Sequence, residues 1–210
     1  MKKEEIKLIV SISIAIATIL GISYLIILDK SFDLSNGLRA ISFGITSTTF
    51  FWTFYFTYGW KIWGLDKVFY RPNLSGTWAG ILRSDWKDEN GNGAGDIEFY
   101  IVIRQSFLRI HFTTFTDSFI GTSYSETLSL KKETGLKNAA YLYRKETSQD
   151  ENEFLQEGAT ELRIIESNPK KLEGKYWSNQ KTNGKIDVSF ISKKIVDSFN
   201  DAKTLNNNGK

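Results

Sequence analysis

The chain has 210 residues, with 27 Lys and Arg against 24 Asp and Glu, a formal net charge of +3 and 41% hydrophobic residues. So mild a positive balance argues against a polymeric nucleic acid as partner. The absence of cysteine excludes disulfides, thiolate nucleophiles and zinc–cysteine sites, and the single histidine, His111, excludes multi-histidine metal centres.

The apolar residues are concentrated near the start of the chain. Leu8 to Leu28 carries no charged side chain over about 21 residues, enough to cross a hydrocarbon core of roughly 30 Å. A second uncharged run extends from Ala40 to Trp60. Backbone polar groups in lipid must be satisfied internally, so both runs are predicted to be helical. The reading is a two-helix transmembrane region over 1–68, with spans at 8–28 and 40–60. A cleavable signal peptide fits less well, because its apolar core is only about 7–15 residues and no small-x-small site follows Leu28. Lys2, Lys3 and Lys7 precede the first run, and Lys61, Lys67 and Arg71 follow the second. The connector holds only Lys30 beside Asp29 and Asp33, with Arg39 at the edge of the second span. This bias places both chain ends on the cytoplasmic side, where Trp52, Tyr55, Tyr58, Trp60 and Trp63 suit an interfacial belt. Small residues recur at four-residue spacing in Ser11/Ala15, Ala17/Gly21 and Ala40/Gly44/Thr48, which allows close helix approach within the hairpin or between protomers.

Arg71, Pro72 and Asn73 end the helical pattern. Short alternating segments follow, predicting strands over 76–83, 96–105, 107–114, 122–130, 138–146, 157–166, 172–179 and 185–193. Turn residues separate them at Asp88–Gly95, Thr116–Gly121, Glu133–Lys137, Ser148–Asn152, Ser167–Lys171 and Thr182–Gly184. Eight antiparallel strands fit a membrane-anchored all-β protein whose domain, 73–194, is a small up-and-down barrel, with a two-sheet sandwich as the alternative. Such a barrel is just wide enough for a packed core or one small ligand. Leu74, Gly76 and Trp78 open the first strand, and Gly-x-Trp there resembles the opening motif of lipocalins, which implies that Trp78 plugs the barrel floor. The polar stretch 195–210 reads as a disordered tail.

Catalytic chemistry is hard to find. His111 alternates with Ile110 and Phe112, which makes it a solvated strand histidine. Asp88, Asn90, Asn92 and Gly93 match half of a calcium loop, but Phe99 stands where a bidentate Glu is needed, so the segment reads as a hairpin tip. The chain is therefore read as a non-enzyme without a cofactor. What a barrel could turn inward is a polar and aromatic set: Thr114, Ser123 and Ser125, then Tyr141, Tyr143 and Arg144, then Tyr176, Ser178, Asn179 and Gln180. Buried without partners, such groups would be costly. They suit a ligand with flat rings and negative charge.

The order of features resembles the membrane effectors of bacterial CBASS anti-phage systems, the STING-analogous proteins with two transmembrane helices and a β-barrel that accompany nucleotidyltransferases. The matching positions are Leu74, Gly76 and Trp78, Ser123 and Ser125, Tyr141 and Tyr143, Gly158 followed by Leu162, and Gly174 with Tyr176, Trp177, Ser178 and Asn179. Gln180 stands where a basic residue would be expected, with Lys181 one position later. The resemblance implies a multi-pass protein of the bacterial inner membrane with a cytoplasmic barrel. It implies that a cyclic dinucleotide binds the barrel and drives homo-oligomerisation of the helices, breaching the bilayer. A tethered lipocalin-like carrier of an apolar molecule and a non-binding scaffold are the alternatives.

Overall fold

A computed structural model describes residues 3–65, 68–130, 134–146 and 156–209. The expected turns at Glu133 and over Ser148–Asn152, and the charges at Lys2 and Lys67, lie outside the described residues. The chain divides into two units, Met1–Pro72 and Asn73–Lys210.

The first unit is a helical hairpin. Helix α1 runs Lys3–Ile27 and α2 runs Leu34–Thr57. Asp33 caps α2, its carboxylate accepting from Asn36 N at 2.8 Å. The helices meet through their small residues. A Cβ on Gly44 would clash with the Ala17 carbonyl, and one on Gly21 would lie 3.1 Å from the Ala40 carbonyl. Trp52 Nε1 donates to Ser13 Oγ across the seam at 2.8 Å. Ala17/Gly21 and Ala40/Gly44/Thr48 therefore serve the hairpin, whereas Ser11 and Ala15 are exposed. Among the described residues one helix, α1, is long and apolar enough to cross a membrane. At 24 residues α2 reaches about 36 Å at 1.5 Å per residue. Its apolar character is diluted by Arg39 and a series of serines and threonines.

The second unit is a closed eight-stranded antiparallel barrel, β1 Gly76–Ser84, β2 Asp96–Gln105, β3 Ile110–Phe115, β4 Ile120–Leu130, β5 Lys137–Glu146, β6 Gln156–Ile165, β7 Lys171–Ser178 and β8 Asn183–Ser192. Each strand pairs with its sequence neighbours, and β1 closes on β8. The sandwich alternative is thereby excluded. One end of the lumen is filled by Trp78, Ile101, Ile103, Phe112, Leu162, Leu172 and Val188, all buried. Trp78 lies edge-on to Phe190 with centroids 5.3 Å apart and donates from Nε1 to Leu74 O at 3.0 Å. It is the floor plug that the opening motif implied.

Two expectations are corrected. The strand expected from 107 begins at Ile110, because Ser106 N donates to Arg109 O at 2.8 Å and closes a tight turn first. The expected disordered tail is in large part a helix, α3 Phe199–Asn208. Ser198 caps it by accepting from Asp201 N at 3.1 Å. Phe199, Ala202 and Leu205 then lie on one face, against Tyr100, Val102, Phe115 and Ala79 on the barrel's outside. This explains why β2 reads Phe99, Tyr100, Ile101, Val102, Ile103 without alternation: the strand is buried on both faces.

Removing the floor plug is expected to cost about 3–5 kcal/mol, the range for truncating a buried Trp. Urea unfolding of residues 73–209 carrying Trp78→Ala checks this. A loss below about 1 kcal/mol would mean that the floor does not depend on Trp78.

Candidate ligand-binding site

Above the packed half the lumen opens into a cavity of about 540 Å³. Its wall follows from strand alternation. On β5, Ala139, Tyr141, Tyr143 and Lys145 form the inward series. One line of register partners carries Tyr141 to Thr160, Tyr176, Gly184 and Ser84, half-way round the barrel. At Gly184 the missing side chain lets the Tyr176 ring lie over the strand, where a Cβ would clash with the ring, and Tyr176 Oη donates to Ser84 Oγ at 2.7 Å. Gly158 does the same for Tyr143, since a Cβ there would fall 2.5 Å from the phenol oxygen. Two glycine gaps thus hold two phenol rings in the wall. Tyr141 is stacked on Phe112 with centroids 4.3 Å apart and an interplanar angle of 14°. Leu82, Ile97, Phe99 and Ile186 give the cavity an apolar wall, and Lys145 lines it together with Trp86, Asp117 and Phe119 from the turns.

The electrostatics are simple. Burial pushes the Tyr141 and Tyr143 phenols well above their usual range, with a smaller opposing effect from the Thr160 hydrogen bond at Tyr141. Both rings therefore stay neutral. Burial also holds the Lys145 ammonium below its ordinary value of 10.5. Lys145 sits 4.7 Å over the Phe119 ring and forms no ion pair among the described residues.

Of the ten site residues expected from sequence, Thr114, Tyr141, Tyr143, Tyr176, Ser178 and Gln180 line the cavity. The other four do not. Arg144 is the outward neighbour of Lys145, binding Glu157 at 2.9 Å. Ser125 is exposed beyond the β-bulge that separates it from Ser123. Ser123 is buried in the seam where β3 and β4 part after three paired positions. Its Oγ accepts from Phe112 N at 2.9 Å, donates to Glu126 and meets His111 Nδ1 at 3.1 Å. That seam also gives His111 its polar partners, so it is bridged to β4 rather than merely solvated. Asn179 continues the β6–β7 ladder, accepting from Glu157 N at 3.2 Å. Asp88 spends its carboxylate on its own turn, accepting from Asn90 N and Asn92 N at 2.9 and 2.7 Å.

A model of the Cap15 cyclic dinucleotide receptor domain matches residues 69–189. The chain belongs to this family. The CD-NTase-associated protein 15 of Escherichia albertii is 25% identical over 148 residues, covering 68% of this chain and 73% of the relative. Every residue that lines the cavity falls inside the segment matched to the receptor domain.

The half-buried lysine has a measurable consequence. Between its depressed folded pKa and the ordinary 10.5, the unfolded chain holds more protons than the folded one, so stability rises with pH across that window. Lys145→Met is expected to be more stable than wild type near pH 7, with the gap shrinking as pH climbs toward 10.5. Thermal unfolding of both proteins over this range checks the sign. Equal stability at every pH would show that Lys145 is not desolvated.

Proposed function

We propose that this chain is a membrane effector of bacterial anti-phage defence whose barrel binds a cyclic dinucleotide. The observation that carries the reading is the open half-lumen, lined by three tyrosines and by one lysine without a carboxylate partner among the described residues, in a domain of the Cap15 cyclic dinucleotide receptor family. A cyclic dinucleotide brings flat bases, which stack on tyrosine rings, and phosphates, which attract a buried ammonium. Helices α1 and α2 are read as two spans of the inner membrane, with both chain ends and the barrel cytoplasmic. A partner nucleotidyltransferase supplies the ligand, and binding clusters the helices into an oligomer that breaches the bilayer. Ligand drives that step only through its preference for the assembled state, and moving a population from 1:99 to 99:1 takes about 5.5 kcal/mol. The apolar lining of the cavity at Leu82, Ile97, Phe99 and Ile186 favours a second reading, a carrier of an apolar molecule.

Calorimetry of residues 73–209 against a panel of cyclic dinucleotides separates the two. Tyr143→Ala is expected to weaken binding by about 1–3 kcal/mol, the stacking contribution of one base. Lys145→Met should weaken it strongly at low salt and Arg144→Ala little. An anionic ligand raises the Lys145 pKa, so binding takes up a proton above the depressed value and affinity falls as pH rises through it. No heat with any cyclic dinucleotide would favour the carrier.

A further inference from the structure

The polar residues of α2 are not scattered. Arg39, Ser42, Thr46, Thr49, Thr53 and Thr57 are all exposed. At about 100° per residue they fall within an arc of about 80°. The seam residues Ala40, Gly44, Thr48 and Tyr55, buried in the hairpin unit, fall within a second arc of about 80° centred on the opposite side. The polar stripe therefore points directly away from α1. From Arg39 to Thr57 it runs about 27 Å, close to the thickness of a hydrocarbon core.

The hydroxyls are oriented. Thr49, Thr53 and Thr57 donate to the carbonyls of Ile45, Thr49 and Thr53 at 3.0, 2.9 and 2.7 Å. Each proton is thus spent within the helix, and each oxygen presents its lone pairs outward. Back-bonding makes one such threonine tolerable in lipid, but it does not gather five hydroxyls and a guanidinium on one line. The apolar flank residues Ile41, Ile45, Phe43 and Phe54 are also exposed and suit acyl chains.

We propose that the stripe from Arg39 to Thr57 is the face through which α2 meets α2 of further copies, so that the assembled helices enclose a path lined by hydroxyl oxygens. This rests on α2 lying in the bilayer, as read under Proposed function. In lipid a polar stripe is covered only by protein or by water, since acyl chains offer it no partner. The opposite face of α2 is already taken by α1, which leaves the stripe to face water enclosed between the α2 helices of further copies, whose protons the outward oxygens accept. The consequence is a defined polar route through the membrane instead of general disorder of the lipid.

The chain has no cysteine, so single cysteines report positions one at a time. Full-length protein is reconstituted in phospholipid vesicles with Cys at Ser42, Thr46, Thr49 or Thr53, and at Ile41 or Phe54 as flank controls. An oxidant is added with and without the cyclic dinucleotides of adenine, guanine and uracil, while dye release is followed. Cross-linking is expected to be several-fold faster at the stripe positions than at Ile41 and Phe54. It should also appear without nucleotide at high protein-to-lipid ratio, where mass action replaces the ligand. The triple variant Thr46→Val, Thr49→Val, Thr53→Val keeps shape but loses the hydroxyls, and is expected to lose most of the dye release while its barrel still binds nucleotide. Cross-linking that is equal at the flanks, or absent from the stripe at high protein density, overturns the proposal, as does wild-type release from the valine variant. Stripe cross-linking in vesicles that stay sealed with every nucleotide would support the contact surface and instead remove the ligand-gated breach.

Discussion

The pairing of β1 with β8 closes the sheet, and closure decides the side of every residue that follows. A closed barrel has no spare edge along which a strand can slip, so each inward residue has an outward neighbour on either side. The most consequential case is on β5. Lys145 lies on the same face as Tyr141 and Tyr143, while Arg144 is turned to Glu157 and Tyr124 on the outside. One residue of register separates a cation in an apolar cavity from a cation in a solvent-exposed pair.

The barrel was largely legible in the sequence. Short runs cut by Gly, Asn, Asp and Pro turns identify eight strands, most by alternation and β2 by an apolar run buried on both faces. Six of the ten residues expected to turn inward line the cavity. Arg144 stands beside two tyrosines in the sequence, yet counting by two from Tyr141 and Tyr143 leads to Lys145, which lines the cavity. Ser123 could not be placed by counting, because the bulge before Ser125 shifts the pattern within β4 and turns its hydroxyl into the seam. The rim residues Trp86, Asp117 and Phe119 come from turns, where alternation gives no information.

The helix α3 was missed for a different reason. Its three consecutive asparagines, Asn206, Asn207 and Asn208, dominate the composition of the tail and hide a short apolar face. The stronger signal lay about a hundred residues earlier, in the unbroken apolar run of β2. Tyr100 and Val102 face out of the barrel, so some other segment had to cover them, and Phe199, Ala202 and Leu205 do so. Exposed ion pairs in and before it, Lys203 with Glu98 and Asp197 with Arg104, add little beside this burial.

Hydrogen-bond accounting separates three sets of polar groups among the described residues. In the β3–β4 seam, Ser123 accepts from Phe112 N and donates to Glu126, so its needs are met within the fold and it closes a gap. On α2, Thr49, Thr53 and Thr57 spend their protons on their own helix and are left with acceptors alone. In the cavity, Tyr176 is satisfied by Ser84, whereas Lys145 has an aromatic ring below it and no carboxylate partner among the described residues. The Lys145 ammonium is half-buried, and desolvation disfavours its charge while the neighbouring ring offsets part of that. Folding alone gives no reason to place a lysine there, since methionine would fill the same space without the penalty. An anionic group bound beside it would supply the missing charge, and the penalty would then fall on the empty state alone. Among the described residues Lys145 is thus the group that hydrogen bonding within the fold does not account for, and it lies in the same cavity as the tyrosine rings.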